Sequence, residues 1–290
     1  MAECTAKADQ GAQRIMPGSE EHAALLDRIG DRMVIASISG GKDSAATSLY
    51  LDELGIEHLR VFADTGWEWV GTPKHLEYLT SVLGPVDTVR SEIGGMADLV
   101  RSKGMFPSRL IRFCTQELKV RPIRRYILEA QERTGRDVVN VVGIRWGESR
   151  SRANMPEWEW NEYFNSDTWR PILAWSEQDV IDIHRRHDLQ PNPLYLQGAS
   201  RVGCWPCIFA RKSEIATMAR IDPGRIDELR GLEAEVQELA RARYAKKGET
   251  FESRGHTPPT FFHTPTSSSW TAGAWRLSRT TGFGGTRPRS

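Results

Sequence analysis

A candidate phosphate-binding sequence, SGGKDS, occupies residues 39–44, between a short apolar run and a segment with helical periodicity. Adjacent glycines let backbone amides approach an anion without a Cβ clash, and the free N–H groups at a helix start can bind it. Lys42 adds a positive charge, and the carboxylate of Asp43 can hold Mg²⁺. The sequence is not a Walker A loop, because Asp43 follows the lysine and position 36 is Ala. The candidate nucleotide-binding residues here are Ser39, Gly40, Gly41, Lys42, Asp43 and Ser44.

Three cysteines form a second candidate site. Cys204 and Cys207 are spaced as C-x-x-C, and Cys114 lies far upstream in the chain. A C-x-x-C pair can be a thiol–disulfide redox pair, half of a zinc site or part of an iron–sulfur ligand set. The residues alone leave these three alternatives open. The fourth cysteine, Cys4, is expected to take no part.

Several polar residues follow predicted strands. Asp64 and Thr65 stand at the end of one strand, where Asp64 could meet a nucleotide or Mg²⁺ or could cap a helix. Lys119, Arg145 and Arg152 are cations that could converge on phosphate or sulfate groups. The alternative for each of these residues is an ion pair at the protein surface. Arg145 directly follows a buried strand, which favours a role in binding phosphate or sulfate. Glu148 is expected to orient one of the two arginines.

These candidates are separated by alternating strand and helix patterns. Apolar runs predict strands at 33–38, 59–63, 85–89 and 138–144. Helical periodicity is found up to residue 54 after the loop, and at 74–83, 94–104, 116–134, from 176 and at 224–246. Such alternation predicts an α/β fold with a parallel sheet, helices on both faces and a helical C-terminal part. The active site of such a sheet lies at the carboxyl ends of its strands.

Composition narrows the class of protein. The 290 residues carry 39 Lys and Arg against 38 Asp and Glu, a net charge of +1, which excludes a strongly basic nucleic-acid coat. No apolar run approaches a membrane span, and the N-terminus lacks the apolar core of a secretory signal. Four cysteines do not make a disulfide scaffold, so a cytoplasmic protein without membrane partners is expected. The expected organisation is a flexible leader at 1–18, a nucleotide-binding and sulfur-transfer domain at 19–215, a helical extension at 216–263 and a disordered tail at 264–290.

The motifs together resemble one known family. SGGKDS is similar to the S-G-G-x-D-S signature of the PP-loop ATP pyrophosphatases, which cleave ATP between the α- and β-phosphates. Five further ordered blocks resemble the phosphoadenylyl-sulfate (PAPS) reductase family within that superfamily. They are Asp64-Thr65-Gly66, Arg112 to Pro122 with Cys114 and Lys119, Gly143 to Arg152, Arg170 to Trp175 with Asn192 to Tyr195, and Gly203 to Cys207. The resemblance covers about residues 30–215 and implies the adenine nucleotide alpha-hydrolase-like fold.

The resemblance also implies site roles. Lys42, Asp43, Lys119 and Arg145 would be catalytic, and Asp64, Thr65 and Arg152 would join the phosphate loop in binding the nucleotide with Mg²⁺. Cys114, Cys204 and Cys207 would converge on one metal centre. Many relatives carry a four-cysteine [4Fe–4S] cluster with two adjacent cysteines at the first position, where this chain has Thr115. A three-cysteine cluster with an open iron resembles the sulfur-transferring tRNA thiolases. Zinc is the alternative metal.

Three functions follow from the resemblance. The first is an ATP-dependent sulfurtransferase that adenylates an acceptor, with DNA or tRNA as acceptor and a cysteine desulfurase as sulfur donor. The second is a sulfonucleotide reductase acting on adenylyl sulfate or its 3′-phosphate form; such enzymes use a cysteine in a C-terminal tail, and no cysteine follows Cys207. The third is a nucleotide-binding regulator without turnover. Six basic residues are candidates for contacting a nucleic acid, with a solvated helix face as the alternative: Arg109, Arg112, Lys119, Arg121, Arg124 and Arg125.

Overall fold

A six-stranded sheet forms the centre of the protein in the computed structural model, which describes residues 14–261. The strands are β1 (Met33–Ile38), β2 (His58–Asp64), β3 (Val86–Arg90), β4 (Val138–Val142), β5 (Trp158–Asn161) and β6 (Ser166–Trp169). Their order is β3-β2-β1-β4-β6-β5. Every neighbouring pair is parallel except β5 with β6, which is antiparallel. The predicted α/β class with a mostly parallel sheet is confirmed.

Helices cover both faces of this sheet. The helices of the described residues are α1 (Glu20–Ile29), α2 (Lys42–Glu53), α3 (Thr72–Leu83), α4 (Met96–Lys103), α5 (Phe113–Thr115), α6 (Arg121–Thr134), α7 (Glu177–Arg186), α8 (Pro193–Leu196), α9 (Lys212–Ile221) and α10 (Pro223–Ala245). On one face, buried residues of α1, α2, α3 and α7 pack on Val34, Ala36 and Ile38 of β1. On the other face, α6 packs on Ile35. The alternation along β1 therefore buries the strand on both sides, as parallel sheets require.

The register of the central strands brings their carboxyl ends to one edge. Ile38 at the end of β1 is paired with Phe62 of β2, and Ser37 is paired with Val142 of β4. The chain leaves β1 for β2 on one side, and β4 occupies the other side. This reversal of strand order opens a crevice at the carboxyl ends, where ligands bind in open α/β sheets.

The sheet differs from the prediction at one edge. No strand was predicted between residues 156 and 175, but β5 and β6 lie there and add an antiparallel edge. They are held by stacking of Trp158 on Trp169, whose ring centroids are 5.0 Å apart, and by Trp169 donating to Glu157 at 3.0 Å. The predicted strand at 138–144 ends earlier, at Val142. The predicted helix at 116–134 is a π-helical turn at Gln116–Val120 followed by α6.

A third buried cluster joins α4, α9 and α10 beside the sheet. Trp67 and Trp205 belong to this cluster, and the Trp205 amide donates to the Trp67 carbonyl at 2.7 Å. Cys204 therefore lies directly beside the segment that follows β2. Helix α9 spans position 215, where a domain limit was predicted, and the domain limits remain predictions. Residues 1–13 of the predicted leader, Cys4 and the predicted tail at 264–290 lie outside the described residues.

Among residues 14–261, no helix combines the length and the apolar character needed to cross a bilayer.

Candidate functional site

The SGGKDS loop joins β1 to α2 in a preformed conformation. Gly40 has φ +73°, a left-handed conformation that favours glycine, and Gly41 is the extended N-cap of α2. The Ser44 hydroxyl accepts from the Ser39 amide at 3.0 Å and donates to the Gly41 carbonyl at 3.0 Å. The Ser39 and Ser44 hydroxyl oxygens are also 3.0 Å apart. These side chains brace the turn, so that the amides at the start of α2 are positioned to bind an anion.

Lys42 is held beside the loop by residues of other elements. Its ammonium lies 3.0 Å from Glu177 Oε1 at the start of α7, and its carbonyl lies 2.8 Å from His184 Nε2. Burial lowers the pKa of Lys42, but the hydrogen bond with Glu177 and nearby anionic groups outweigh it, so the pKa lies above its ordinary value. The side chain is therefore a stable cation beside the helix start.

Asp43 and Arg145 meet directly, which joins the loop to the segment after β4. Arg145 Nε lies 2.5 Å from Asp43 Oδ1, and both side chains are largely buried. The Arg145 amide donates to Glu148 Oε2 at 2.7 Å, and Arg152 pairs with the same carboxylate. Glu148 thus contacts the side chain of Arg152 but only the backbone of Arg145, and its role in orienting one of the two arginines remains a prediction. Within residues 14–261 Asp43 Oδ2 has no hydrogen-bond partner, so this oxygen fits a hard cation such as Mg²⁺.

Asp64 and Thr65 point to different partners. Asp64 Oδ1 accepts from the Gly66 amide at 2.8 Å, and Oδ2 accepts from Arg90 Nε at 2.7 Å. The two carboxylate oxygens of Asp64 therefore contact the Gly66 amide just after β2 and the Arg90 side chain. Thr65 is almost completely buried; its hydroxyl donates to Glu68 at 2.6 Å and lies 3.8 Å from Cys204 Sγ. Thr65 is thus part of the thiol environment.

The three cysteines and Lys119 share one electrostatic environment. Burial raises the pKa of Cys204 more than Lys119 lowers it. Burial also raises the pKa of Cys114, with Cys204 acting in the same direction. The pKa of Lys119 is raised, by Cys204 first, against the effect of burial and with a further contribution from Glu68. Lys119 is therefore a cation facing thiols.

The thiols do not form a metal-ligand set in this conformation. Nowhere between residues 14 and 261 do three His, Cys, Asp or Glu side chains come together in a group that could hold a metal ion. As they are placed here, the three cysteines therefore do not fit a [4Fe–4S] cluster or a zinc ion. In this conformation Cys114, Cys204 and Cys207 are free thiols.

A pocket of about 110 Å³ connects the phosphate loop to the thiol environment. Its lining residues are Ser37, Ile38, Ser39, Phe62, Ala63, Glu68, Lys119, Ile123 and Gly203. The pocket lies at the carboxyl ends of β1 and β2, as the topology predicts. One side is the first residue of the loop, and the other is the Lys119 cation with the residue that precedes Cys204. A group bound here touches both halves of the site.

Four residues at the site were assigned no role from the sequence. Glu68 lines the pocket; Asn192 and Tyr195 contact the phosphate loop, and His184 contacts Lys42. Asn192 and Tyr195 lie inside a block that resembles the family, which was the one available signal. Glu68 lies four residues after Asp64, and nothing in the spacing distinguishes it from a surface carboxylate.

A phosphate loop after the central strand of a parallel sheet, with cations at the adjoining strand ends, defines an enzyme of the PP-loop class. The chain matches the family model of the phosphoadenosine phosphosulfate reductase domain over residues 33–210, more than half its length. The protein therefore belongs to the PAPS reductase family of PP-loop enzymes, as the motifs predicted.

Individual proteins are similar to this chain to different extents. An uncharacterized 37.8 kDa protein from the gpa 5′ region of Escherichia phage 186 is 36% identical over 273 residues, covering 77% of this chain and 80% of the phage protein. The adenosine 5′-phosphosulfate reductase of Allochromatium vinosum is 28% identical over 188 residues, covering 62% of this chain and 69% of the reductase. A crystal structure of phosphoadenylyl-sulfate reductase from Candida auris, a phosphate complex, is 15% identical with a TM-score of 0.47, covering 67% of this chain and 98% of that one.

Proposed function

We propose that the protein is an ATP-dependent sulfurtransferase that adenylates an acceptor and replaces the activated oxygen with sulfur. The observation that carries this proposal is the pocket whose lining includes both Ser39 of the phosphate loop and Lys119, the cation that faces the three cysteines. An enzyme that couples phosphate activation to sulfur chemistry needs these two groups within reach of one bound molecule.

In the first step, an acceptor oxygen attacks the α-phosphate of ATP, the bond to the β-phosphate oxygen breaks, and pyrophosphate leaves. The amides at the start of α2 and the ammonium of Lys42 stabilise the negative charge on the phosphates. Arg145 holds the Asp43 carboxylate, whose free oxygen would bind Mg²⁺. Mg²⁺ held there would neutralise part of the phosphate charge.

In the second step, the terminal sulfur of a persulfide on one of Cys114, Cys204 and Cys207 attacks the adenylated acceptor, and the bond between the acceptor and its activated oxygen breaks, so that this oxygen leaves with AMP. A second thiol of the three then attacks the cysteine sulfur of the resulting mixed disulfide, which releases the acceptor with its new sulfur and leaves a disulfide between the two cysteines. An external thiol reductant would return this disulfide to two thiols. Lys119 stabilises the anionic sulfur, because its ammonium lies among these thiols. A cysteine desulfurase as donor and DNA or tRNA as acceptor are the partners proposed for this chemistry.

Pyrophosphate release from ATP tests the first step. The wild type, incubated with Mg-ATP and candidate acceptors, is expected to release pyrophosphate, and Asp43→Ala is expected to lose this activity. Asp227→Ala is the matched control, because Asp227 is an exposed residue of α10 that, among residues 14–261, pairs only with Arg230 one turn away. An unchanged rate in Asp43→Ala would show that the site is wrongly assigned.

A sulfonucleotide reductase is the second candidate, favoured by the adenosine 5′-phosphosulfate reductases among the relatives. Such an enzyme would bind adenylyl sulfate or its 3′-phosphate form at the same loop and reduce the sulfate group to sulfite with a thiol donor. Sulfite release from either nucleotide with reduced thioredoxin, in the absence of ATP, would favour the reductase. ATP-dependent incorporation of labelled sulfur into an acceptor would favour the transferase.

Metal at the cysteines is tested separately from activity. Protein purified without oxygen is analysed for iron, acid-labile sulfide and zinc, in the wild type, in Cys114→Ala and in the control Cys4→Ala. Iron and sulfide that are lost only in Cys114→Ala would support a cluster held by the predicted cysteines. Zinc lost in the same pattern would support the alternative metal.

A further inference from the structure

Tyr195 lies against the phosphate loop, although 153 positions separate it from Lys42. Its hydroxyl accepts a hydrogen bond from the Lys42 amide at 3.3 Å, at the first turn of α2. The Lys42 ammonium stands 5.0 Å from the centroid of the Tyr195 ring. A Cβ on Gly41 would lie 3.4 Å from the same hydroxyl. The hydroxyl is thus a neighbour of the backbone groups that would hold a phosphate.

This placement is fixed by the segment that carries the tyrosine. Asn192 is buried, and its Nδ2 donates to the Gly40 carbonyl at 3.1 Å. Its Oδ1 accepts from the Leu194 amide at 3.0 Å, which caps α8. Leu194 is completely buried in the cluster that also contains Trp205. Helix α8 is therefore attached both to the loop and to the core, and Tyr195 has little freedom to move away.

The hydroxyl still has a proton to donate. Within residues 14–261 the only hydrogen bond of the Tyr195 hydroxyl is the one it accepts from Lys42. Burial raises the pKa of Tyr195 although the hydrogen bond and charge of Lys42 act against it. The group is therefore a neutral donor at pH 7. A hydroxyl that already accepts from a helix amide and stands beside a lysine is well placed to donate to an anion bound by both.

We propose that Tyr195 is a phosphate-binding residue, whose hydroxyl donates a hydrogen bond to a phosphoryl oxygen held at the start of α2. The inference deepens the nucleotide site of the proposed function and rests on it. The ligand class is a di- or triphosphate, and the contact depends on the phosphate group alone. Asn192 is the positioning residue, because it ties α8 to the loop.

The test compares Tyr195→Phe with the wild type and with Tyr163→Phe. Tyr163 is a matched control, because Arg124 stands 5.1 Å from its ring centroid and its hydroxyl makes no hydrogen bond in the described part of the chain. The probes are Mg-ATP, inorganic pyrophosphate and adenosine, with dissociation constants measured by calorimetry. Tyr195→Phe should weaken the binding of Mg-ATP and of pyrophosphate by about tenfold or more, which is the usual effect of losing one hydrogen bond to a charged group. Tyr163→Phe should bind all three probes as the wild type does.

Adenosine separates phosphate binding from a structural role. It carries no phosphate, so its affinity should be equal in Tyr195→Phe and the wild type. If Tyr195→Phe lost affinity for adenosine and for Mg-ATP equally, Tyr195 would only support the structure of the loop, and the inference would be overturned. Wild-type affinity of Tyr195→Phe for every probe would overturn it as well and leave the proposed function intact. A wild type that binds neither Mg-ATP nor pyrophosphate would overturn both.

Discussion

Gly143 provides a sharp test of how the sheet positions the phosphate loop. The residue follows β4, where the chain passes the first turn of α2. A Cβ at this position would lie 2.4 Å from Thr47 Oγ1, 2.9 Å from the Asp43 carbonyl oxygen and 3.0 Å from Ser44 Cα. Two of these atoms are backbone, so a side-chain rotation cannot relieve the clash. In Gly143→Ala the end of β4 and the start of α2 must therefore move apart.

The expected magnitude follows from this overlap. Overpacking by one methyl group costs about 1–3 kcal/mol, and in a chain of this size each kcal/mol lowers the Tm by roughly 2–4 °C. Because Asp43 and Ser44 belong to the loop, the same movement should weaken Mg-ATP binding, by about tenfold if one charge-assisted hydrogen bond is lost. Scanning calorimetry measures the first effect and titration calorimetry the second.

Gly147→Ala is the control for this prediction. Gly147 lies four residues further along, and a Cβ there would meet no heavy atom within 4 Å. The control should keep the wild-type Tm and affinity. If Gly143→Ala behaved as Gly147→Ala does in both measurements, the close approach of β4 to α2 would be wrong.

Three further predictions concern charged and titratable groups. Glu177→Gln should tighten Mg-ATP binding by about two- to fivefold at low salt, because it frees Lys42 from an exposed ion pair worth about 0.2–1 kcal/mol. Calorimetric titration at low and high salt checks this prediction, and tighter binding that persists at high salt would contradict it. Arg145→Ala should destabilise the fold by about 3 kcal/mol, since it leaves Asp43 largely buried and unpaired; urea unfolding checks this, and the double variant with Asp43→Ala should recover part of the loss. Burial keeps the pKa of His58 below its ordinary 6.5, so below that pH the unfolded chain binds more protons than the folded one, and the stability of the fold should fall from pH 7 toward pH 5. Urea unfolding midpoints should depend less on pH in His58→Gln than in the wild type, and equal pH dependence of the two would refute the assignment.

The parts of the site that were predictable are contiguous in sequence. The SGGKDS loop carries its glycines, charge and hydroxyls within six residues, and the apolar run before it identifies a buried strand. Arg145 could be assigned because it closely follows β4, and the carboxyl ends of parallel strands meet at one edge. In both cases, residues that are close in sequence indicate the chemistry.

Contacts over long sequence separations were not predictable in the same way. Glu177 was predicted only to lie in a helix that begins near residue 176, which the structure shows, but its carboxylate also pairs with Lys42. Tyr195 reaches the loop through the packing of α8, which depends on the burial of Leu194. Such pairings follow from tertiary packing, and no local pattern encodes the partner.

The antiparallel edge of the sheet was missed for a different reason. β5 and β6 are each four residues long and contain charged residues among their tryptophans, so neither shows a clear strand pattern. Their pairing depends on Trp158 stacking on Trp169 and on Arg170, which pairs with Glu159. Cross-strand contacts of this kind stabilise short strands that lack an intrinsic signal.

The attachment of Tyr195 to Lys42 has a consequence for the order of folding. The loop is synthesised early, but the residues that hold it follow about 150 positions later, and Cys204 meets Thr65 over a similar separation. Closing such long segments has an entropic cost, so these contacts form after the local helices and strands. During synthesis the emerging chain therefore contains the loop well before the complete binding site. Nucleotide can stabilise only molecules in which the segment that carries Tyr195 has already docked on the loop. Nucleotide binding therefore measures the completion of folding, and not the formation of the folding nucleus.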